Sequence, residues 1–184
     1  MVKEIFNAIT SEQSKELIEI AEKNLIEMST LGQQIDGYRT AQGTWISNDL
    51  ELSNYIKSMI SVHTNLPIEN MENLHIVKYE VGGEYKEHHD FFFPNEDYYE
   101  SACTNRGGQR LKSALIYLND NFEGGETHFP KLNKTVKPKL NKMVIWDNIN
   151  EDGSLNYDSL HAGLPVKLGV KYICIIWIRE NKFI

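Results

Sequence analysis

The segment 85–94 combines metal-binding side chains with an aromatic run and reads Tyr-Lys-Glu-His-His-Asp-Phe-Phe-Phe-Pro. If this segment is a β-strand, residues two positions apart point to the same side. His88 and Asp90 would then present an imidazole and a carboxylate to one pocket, while His89 would point away. Two ligands do not complete a metal site, and His161, much later in the chain, is the candidate for the third.

Two histidines and one carboxylate form a recognisable kind of metal site. Such a set occupies one face of an octahedral ion and leaves three positions open, the arrangement of non-haem Fe(II) oxygenases. The open positions allow a co-substrate and O₂ to reach the metal together. The alternative for a His-x-Asp pair is a solvated histidine beside an acidic residue, and the later His161 favours the metal site.

A lysine at the start of the last apolar segment, Lys171, is the second chemical signal. In a strand it shares a face with Ile173, Ile175 and Trp177. An ammonium on an inward apolar face is costly unless an anion neutralises it. One interpretation is a lysine whose head group reaches solvent at the strand end. The other is an ion pair with the distal carboxylate of 2-oxoglutarate, whose keto-acid end would chelate the iron.

The composition of the 184 residues is that of a globular protein, with 41% hydrophobic and 24% charged residues. The net charge of −7 and the pI of about 5.4 argue against general nucleic-acid binding and against a polybasic membrane contact. We see no membrane-spanning run and no signal peptide. With only two cysteines, Cys103 and Cys174, the sequence predicts a cytoplasmic protein in a reducing compartment.

The apolar periodicity predicts helices first and strands afterwards. A helix is predicted from an N-cap at Thr10 or Ser11 to about Met28, and another from Asp49 to about His63. The polar segment 32–46 between them is interpreted as a strand pair with a mobile connection or as a lid. Five later segments are predicted strands: 74–80, 111–118, 127–129, 142–146 and 170–178.

The last predicted strand is apolar on both faces, which indicates a sheet covered on both sides. Helices followed by many strands predict an α+β, mainly β protein with a barrel or sandwich core. We find no linker or repeat, so residues 1–184 are expected to form a single domain. Two further histidines, His75 and His128, are interpreted as strand-surface or core residues.

Several motifs, in order over roughly residues 35–180, resemble the signatures of the prolyl 4-hydroxylase family of Fe(II)/2-oxoglutarate dioxygenases, in its collagen-type branch. Each motif alone is moderately specific, but their ordered combination is very specific. The motifs are Arg39-Thr40-x-x-Gly43-x-Trp45, Tyr79-x-x-Gly82-x-x-Tyr85-x-x-His88-x-Asp90-x-Phe92, Gly107-Gly108-Gln-Arg110, Tyr117-Leu-Asn119, Gly124-Gly-Glu-Thr127-His-Phe-Pro130 and Ser159-Leu-His161-Ala-Gly163-Leu-Pro165-Val166-x-x-Gly169-x-Lys171.

This resemblance implies a fold and a site. The fold would be a double-stranded β-helix, or jelly roll, at about 74–180, with supporting N-terminal helices at about 1–35 and a lid at about 37–46. His88, Asp90 and His161 would hold the iron. Lys171 would pair with 2-oxoglutarate, whose other hydrogen-bond partners would be Tyr79 and Thr127. The peptide groove would be lined by Tyr85, Arg106, Trp177 and Arg179.

The resemblance further implies hydroxylation of peptidyl proline, coupled to decarboxylation of 2-oxoglutarate to succinate and CO₂. The cofactors would be Fe(II), 2-oxoglutarate and O₂, with ascorbate as reductant. The partner would be a proline-containing peptide or protein, with no nucleic acid and no membrane, and the enzyme would be a monomer or homodimer. Two alternatives stay open: the same chemistry on another amino acid or small molecule, and a non-catalytic jelly-roll binding module.

Overall fold

The computed structural model of the protein describes residues 1–27 and 38–184, and in this part β-strands predominate. The α-helices are α1 (Ser11–Glu22), α2 (Glu51–Thr64) and α3 (Tyr99–Ala102), and short 3₁₀ helices lie at Ile68–Asn70, Thr104–Arg106, Pro130–Leu132 and Tyr157–Ser159. The strands are β1 (Val2–Ile5), β2 (Ile26–Glu27), β3 (Gln42–Ile46), β4 (Leu74–Tyr79), β5 (Tyr85–His88), β6 (Arg110–Tyr117), β7 (Glu123–Gly124), β8 (Thr127–Phe129), β9 (Lys134–Val136), β10 (Met143–Asp147), β11 (His161–Gly163), β12 (Val166–Leu168) and β13 (Lys171–Arg179).

These strands form a large sheet, a small sheet and a short ribbon. The large sheet has the order β1-β10-β6-β13-β4-β3-β2, the small sheet β5-β11-β8-β9, and the ribbon β12-β7. Every strand pair is antiparallel. The architecture confirms the expected mainly β jelly roll with helices in support.

The large sheet is apolar on both faces, as the last strand predicted. Cys174 and Ile176 of β13 belong to a core that also contains Leu17 of α1 and Ile56 of α2. The alternate residues of β13, Ile173, Ile175 and Trp177, belong to a second core inside the jelly roll, shared with residues of the small sheet such as Phe129 and Val136. The inward face of β13 therefore leads to the interior where the site residues lie.

Helix α1 begins where predicted but ends earlier. Thr10 caps it, because its hydroxyl accepts the Gln13 N–H at 3.2 Å while the Gln13 side chain accepts the Thr10 N–H at 2.9 Å. The predicted continuation to about Met28 is wrong. The Asn24 N–H bonds the Ala21 carbonyl at 2.8 Å, which closes the last turn, and β2 then joins the edge of the large sheet. Met28 itself lies outside the described residues.

The segment predicted as a strand pair or a lid contains strand β3. Residues Gln42–Ile46 pair along their whole length with Lys78 through Leu74 of β4, so the lid interpretation is wrong for them. Just before β3, the Thr40 N–H bonds the Glu84 carbonyl and Tyr38 accepts the Lys86 N–H, both at 3.0 Å. Residues 38–46 therefore connect the large sheet to the start of β5, and Gly37 lies outside the described residues.

The N-terminal region contributes more than helices. Strand β1 adds an outer strand to the large sheet by pairing Val2–Ile5 with Trp146 through Met143 of β10. The sequence analysis missed this strand because four residues that mix charged and apolar side chains give no clear period. The supporting helix predicted within residues 1–35 is therefore preceded by a strand of the large sheet.

The double core gives a stability prediction. Ile176→Ala removes a fully buried side chain between the large sheet and the helices, and such truncations cost about 2–5 kcal/mol. We expect a loss of that size in urea unfolding monitored by circular dichroism. Val62→Ala in α2, where the side chain is exposed, is the control and should change the unfolding free energy little. Equal losses in both variants would contradict this packing.

Candidate active site

Three metal-ligating side chains meet where β5 and β11 pair. In this antiparallel pair His161, the first residue of β11, lies opposite His88, the last residue of β5. Asp90 follows two residues after His88, just beyond the end of β5, and its carboxylate lies on the same side, as predicted. One ligand atom from each of the three residues lies within 4.8 Å of the others. The structure therefore brings together the predicted triad from positions far apart in the chain.

Backbone carbonyls orient both imidazoles. His88 Nδ1 donates to the Lys86 carbonyl at 2.7 Å, and His161 Nδ1 donates to the Ser159 carbonyl at 2.9 Å. Each ring therefore turns its Nε2 towards Asp90, at 3.7 Å from a carboxylate oxygen in both cases. This outer hydrogen bond fixes the tautomer that a metal requires, with a lone pair on Nε2.

The carboxylate of Asp90 is held from behind. Ser113 Oγ donates to Asp90 Oδ2 at 2.5 Å, and Asn148 Nδ2 donates to Ser113 Oγ at 2.9 Å. Burial alone would raise the pKa of Asp90, but the His161 and His88 rings and this hydroxyl outweigh burial and hold the pKa below its ordinary value. A carboxylate that stays ionised in a buried place is ready to bind a cation.

The buried imidazole of His88 is neutral at ordinary pH. Burial, and then the neighbouring His161, lower the pKa of His88 to about 3. Two imidazoles and one carboxylate on one side of a cleft match the donor set of a non-haem Fe(II) centre. The residues present therefore fit the implied metal. His89 lies apart from this set, with its Nε2 at 3.2 Å from the Tyr157 carbonyl.

A buried lysine lies next to the triad. Lys171 begins β13 opposite Tyr79 of β4, is 2% exposed, and places Nζ 4.9 Å from the centre of the Tyr79 ring. In residues 1–27 and 38–184 no carboxylate lies within 4 Å of this ammonium. Burial lowers the pKa of Lys171 to about 7, against the opposing influence of Glu126. The Lys171 side chain therefore points into the interior, as predicted.

Gly125 makes room for this lysine, and Gly163 lies beside its ammonium. A Cβ added to Gly125, which has a left-handed φ of +66°, would lie 2.9 Å from Lys171 Cδ. A Cβ added to Gly163, two residues after His161, would lie 3.7 Å from Lys171 Nζ. The ammonium thus lies beside a residue that is two positions from an iron-ligand candidate. The sequence motifs contain both glycines, but their spatial role was not recognised from the sequence.

Two further predicted co-substrate residues face the same interior. Tyr79 and Thr127 are both buried, and Thr127 lies opposite Gly163 in the β8–β11 ladder. The Thr127 hydroxyl is 2.6 Å from the Tyr117 hydroxyl, which is also buried. The lysine, the two tyrosines and the threonine therefore form a polar group inside an otherwise apolar jelly roll.

A cleft of about 1050 Å³ opens above the triad. Tyr85 lines it and stacks on His88 with ring centres 3.6 Å apart. Trp177 lines the inner wall, and the Arg106 guanidinium lies at the rim, 5.0 Å from the Phe183 ring. All four residues predicted for a peptide groove, Arg179 included, therefore line one cleft.

The guanidinium of Arg179 is bonded within the protein. It is 2% exposed, and its guanidinium donates to Glu72 at 2.6 Å and to the carbonyls of Ala102 and Gly108 at 2.9 and 2.8 Å. These bonds hold Arg179 in the cleft wall, and its role in binding a peptide stays a prediction. The sequence places this arginine at a strand end but does not show whether an acidic residue pairs with it.

That acidic residue is Glu72, which the sequence analysis missed. Its buried carboxylate also binds Arg110 through two hydrogen bonds of 2.7 and 3.0 Å, and the Arg110 guanidinium lies 3.8 Å from the centre of the Trp177 ring. Burial alone would raise the pKa of Glu72, but the two arginines hold it below its ordinary value. Glu72 therefore positions Trp177 through Arg110.

Comparison with known proteins agrees with this site. Residues 74–179 match the 2OG-Fe(II) oxygenase superfamily. A putative prolyl 4-hydroxylase of Acanthamoeba polyphaga mimivirus is 35% identical over 96% of this chain and 73% of the relative. Prolyl 4-hydroxylase 5 of Arabidopsis thaliana is 31% identical over 96% of this chain and 67% of the relative. The chain belongs to the prolyl 4-hydroxylase family of 2OG-Fe(II) oxygenases.

Solved structures of this family share the fold. The viral collagen prolyl hydroxylase of Paramecium bursaria Chlorella virus-1, in complex with 2OG, is 28% identical and covers 96% of this chain and 94% of its own, with a TM-score of 0.78. A Trichoplax adhaerens prolyl hydroxylase with a hypoxia-inducible-factor peptide is 16% identical with a TM-score of 0.70, which shows the common jelly roll. The family works with Fe(II), 2-oxoglutarate and O₂. Within the described ranges, no helix is long and apolar enough to cross a membrane.

The triad geometry predicts which histidine binds metal. Replacing His88, Asp90 or His161 by Ala should abolish turnover and weaken Mn(II) binding, measured by electron paramagnetic resonance, because each removes one of three converging ligands. His89→Ala is the matched control, since its ring lies outside the set, and it should retain both properties. Metal loss in the His89 variant with retention in the His88 variant would disprove this strand register.

Proposed function

We propose that this protein hydroxylates peptidyl proline at C4 and couples this to the decarboxylation of 2-oxoglutarate to succinate and CO₂. The observation that carries the proposal is the open aromatic cleft above a His-Asp-His triad with a buried lysine beside it. The names of the viral and plant relatives support a prolyl substrate. Ascorbate is the reductant we propose.

His88, Asp90 and His161 would hold Fe(II). The metal, when bound with 2-oxoglutarate and O₂, supplies the oxidising power for attack on an unactivated C–H bond. The protein's own contribution is orientation. The Lys86 and Ser159 carbonyls hold the two imidazoles and Ser113 holds the carboxylate, so the three side chains that would bind the metal stay directed to one point. No general base is needed at carbon.

Lys171 would hold the distal carboxylate of 2-oxoglutarate. A buried ammonium without a carboxylate partner gains a full ion pair when this anion arrives, and the anion raises its lowered pKa again. Tyr79 and Thr127 carry hydroxyls that can donate to the same anion. A non-catalytic binding module would need neither this unpaired cation nor an open face on the metal, so the arrangement favours the enzyme.

The cleft would bind an extended peptide. A proline-rich chain is already ordered as a polyproline-II helix, so an aromatic-lined groove binds it at low entropic cost. Tyr85 and Trp177 provide aromatic faces near the triad. Arg106 at the rim can donate to carbonyls that a proline-rich segment leaves without partners. A cleft of this size favours a peptide over a free amino acid or small metabolite, the second candidate with the same chemistry.

We propose a cytoplasmic location and no nucleic-acid partner. Cys103 and Cys174 are both buried free thiols, which suits a reducing compartment. The net charge of −7 disfavours phosphate backbones as partners. The site contains the residues for catalysis within one copy of the chain, in agreement with a monomer or a homodimer.

The prolyl substrate is tested by a mass-spectrometric screen of proline-rich peptides with Fe(II), ascorbate and 2-oxoglutarate. We expect a gain of one oxygen atom on proline, and fragmentation to place it. Tyr85→Ala and Arg106→Ala should impair this hydroxylation far more than peptide-independent 2-oxoglutarate decay, because both residues line the cleft. Modification of a lysyl peptide or a free amino acid, with every proline peptide unchanged, would refute the prolyl assignment.

The role of Lys171 is tested by its affinity for 2-oxoglutarate. A charge-assisted hydrogen bond is worth about 1.5–3 kcal/mol, so Lys171→Ala should weaken binding by roughly 10- to 150-fold in calorimetry with Mn(II)-loaded protein. Lys171→Arg should restore part of the affinity, because the forked guanidinium needs different room. An unchanged affinity in Lys171→Ala would leave this lysine with a structural role only.

A further inference from the structure

An unusual histidine lies in the wall of the cleft. His75 belongs to β4, where Val77 and Tyr79 also point into the jelly roll. By strand alternation its side chain shares their direction. It lines the same cleft as Trp45 and Trp177, at the end of β4 away from Lys171. The sequence analysis interpreted it as a surface or core histidine, and its burial agrees with the core alternative.

His75 lacks the hydrogen bonds that a core histidine usually makes. It is 1% exposed, and within the described part of the chain neither ring nitrogen has a hydrogen-bond partner. Leaving buried polar atoms unsatisfied is destabilising, and most buried polar groups in folded proteins are bonded. A phenyl ring of similar shape would serve the packing better. The imidazole therefore needs a reason other than stability.

Aromatic rings surround His75 on the cleft side. Trp45, its partner in the β3–β4 ladder, stacks on it with ring centres 4.2 Å apart and planes 7° apart. Trp177 lies 5.9 Å away at a tilt of 41°. We call these three rings the platform. The Trp45 side chain is 48% exposed, so its indole has space to shift along the imidazole when a ligand enters.

The charges nearby keep His75 neutral. Burial, and then the guanidinium groups of Arg39 and Arg110, lower the pKa of His75 to about 3. A neutral imidazole offers one N–H donor and one acceptor nitrogen. The indole Nε1 of Trp177 is a second buried N–H of the platform without a partner in the described part of the chain, but only the imidazole offers both a donor and an acceptor.

We propose that His75 is a substrate-binding residue that donates a hydrogen bond to a backbone carbonyl of the bound peptide. The proposal rests on the proposed function, since it assigns a contact in the same cleft. A proline-rich segment has few N–H groups and leaves its carbonyls unpaired, so it offers acceptors and pyrrolidine faces together. The platform supplies the matching groups, aromatic faces for the pyrrolidine rings and the His75 N–H for a carbonyl.

The test uses His75→Phe, which keeps a flat ring against Trp45 and removes both nitrogens. We measure binding of a fluorescein-labelled oligoproline by anisotropy with protein loaded with Mn(II) and 2-oxoglutarate, and thermal unfolding of the same samples. A net hydrogen bond of about 0.5–1.5 kcal/mol corresponds to roughly two- to twelvefold in affinity. We expect affinity to fall by that factor while the melting temperature stays equal or rises. A merely structural histidine would not give this opposite pair of effects.

Two comparisons make the outcome decisive. His75→Gln, whose amide N–H can stand near Nε2, should recover part of the lost affinity. His128→Phe is the matched control, because His128 bonds the Thr135 hydroxyl on the small sheet, away from the platform, and it should leave oligoproline binding unchanged. Unchanged affinity in His75→Phe, or a fall in affinity accompanied by a fall in melting temperature, would overturn the assignment. Failure of the wild-type protein to bind oligoproline would instead overturn the proposed function.

Discussion

The antiparallel pairing of β5 with β11 is the constraint on which the site depends. It sets His161 opposite His88 and so brings together two ligands that are far apart in the sequence. The same small sheet places Gly163 and Thr127 side by side, next to the Lys171 ammonium. A shift of one residue in this ladder would turn His88 away and bring His89 inward. Catalytic geometry is thus a consequence of strand register.

Buried charge is distributed in two ways in this interior. Glu72 neutralises Arg110 and Arg179 through several short hydrogen bonds, so these charges are paired within the protein and hold the cleft wall in shape. Lys171 has no such partner among the described residues, although it is just as deeply buried. The paired charges of Glu72 and the two arginines stabilise the structure, whereas the charge of Lys171 would be neutralised by a ligand. The ring nitrogens of His75 are the neutral counterpart, because they too are buried without a partner among the described residues.

Much of this site could be predicted from the sequence because strand alternation is a short-range rule. His88 and Asp90 share a side, and Lys171 shares a face with Trp177, on spacing alone. The pairing of Arg179 with Glu72 could not be predicted, because it depends on the contact between β13 and a loop far away in the chain. The early end of α1 and the strands at Val2–Ile5 and Ile26–Glu27 were missed because tertiary pairing outweighs weak local patterns there. At Gln42–Ile46 the polar, glycine-containing composition is compatible with a lid and with a strand, so the sequence alone did not distinguish the two.

A crystal structure with Mn(II) and 2-oxoglutarate bound tests the central claim most directly. The account predicts that Nε2 of His88, a carboxylate oxygen of Asp90 and Nε2 of His161 coordinate the metal. It also predicts that Lys171 Nζ lies within hydrogen-bond distance of the distal carboxylate of 2-oxoglutarate. Coordination by His89, or a co-substrate whose distal carboxylate lies away from Lys171, would contradict it.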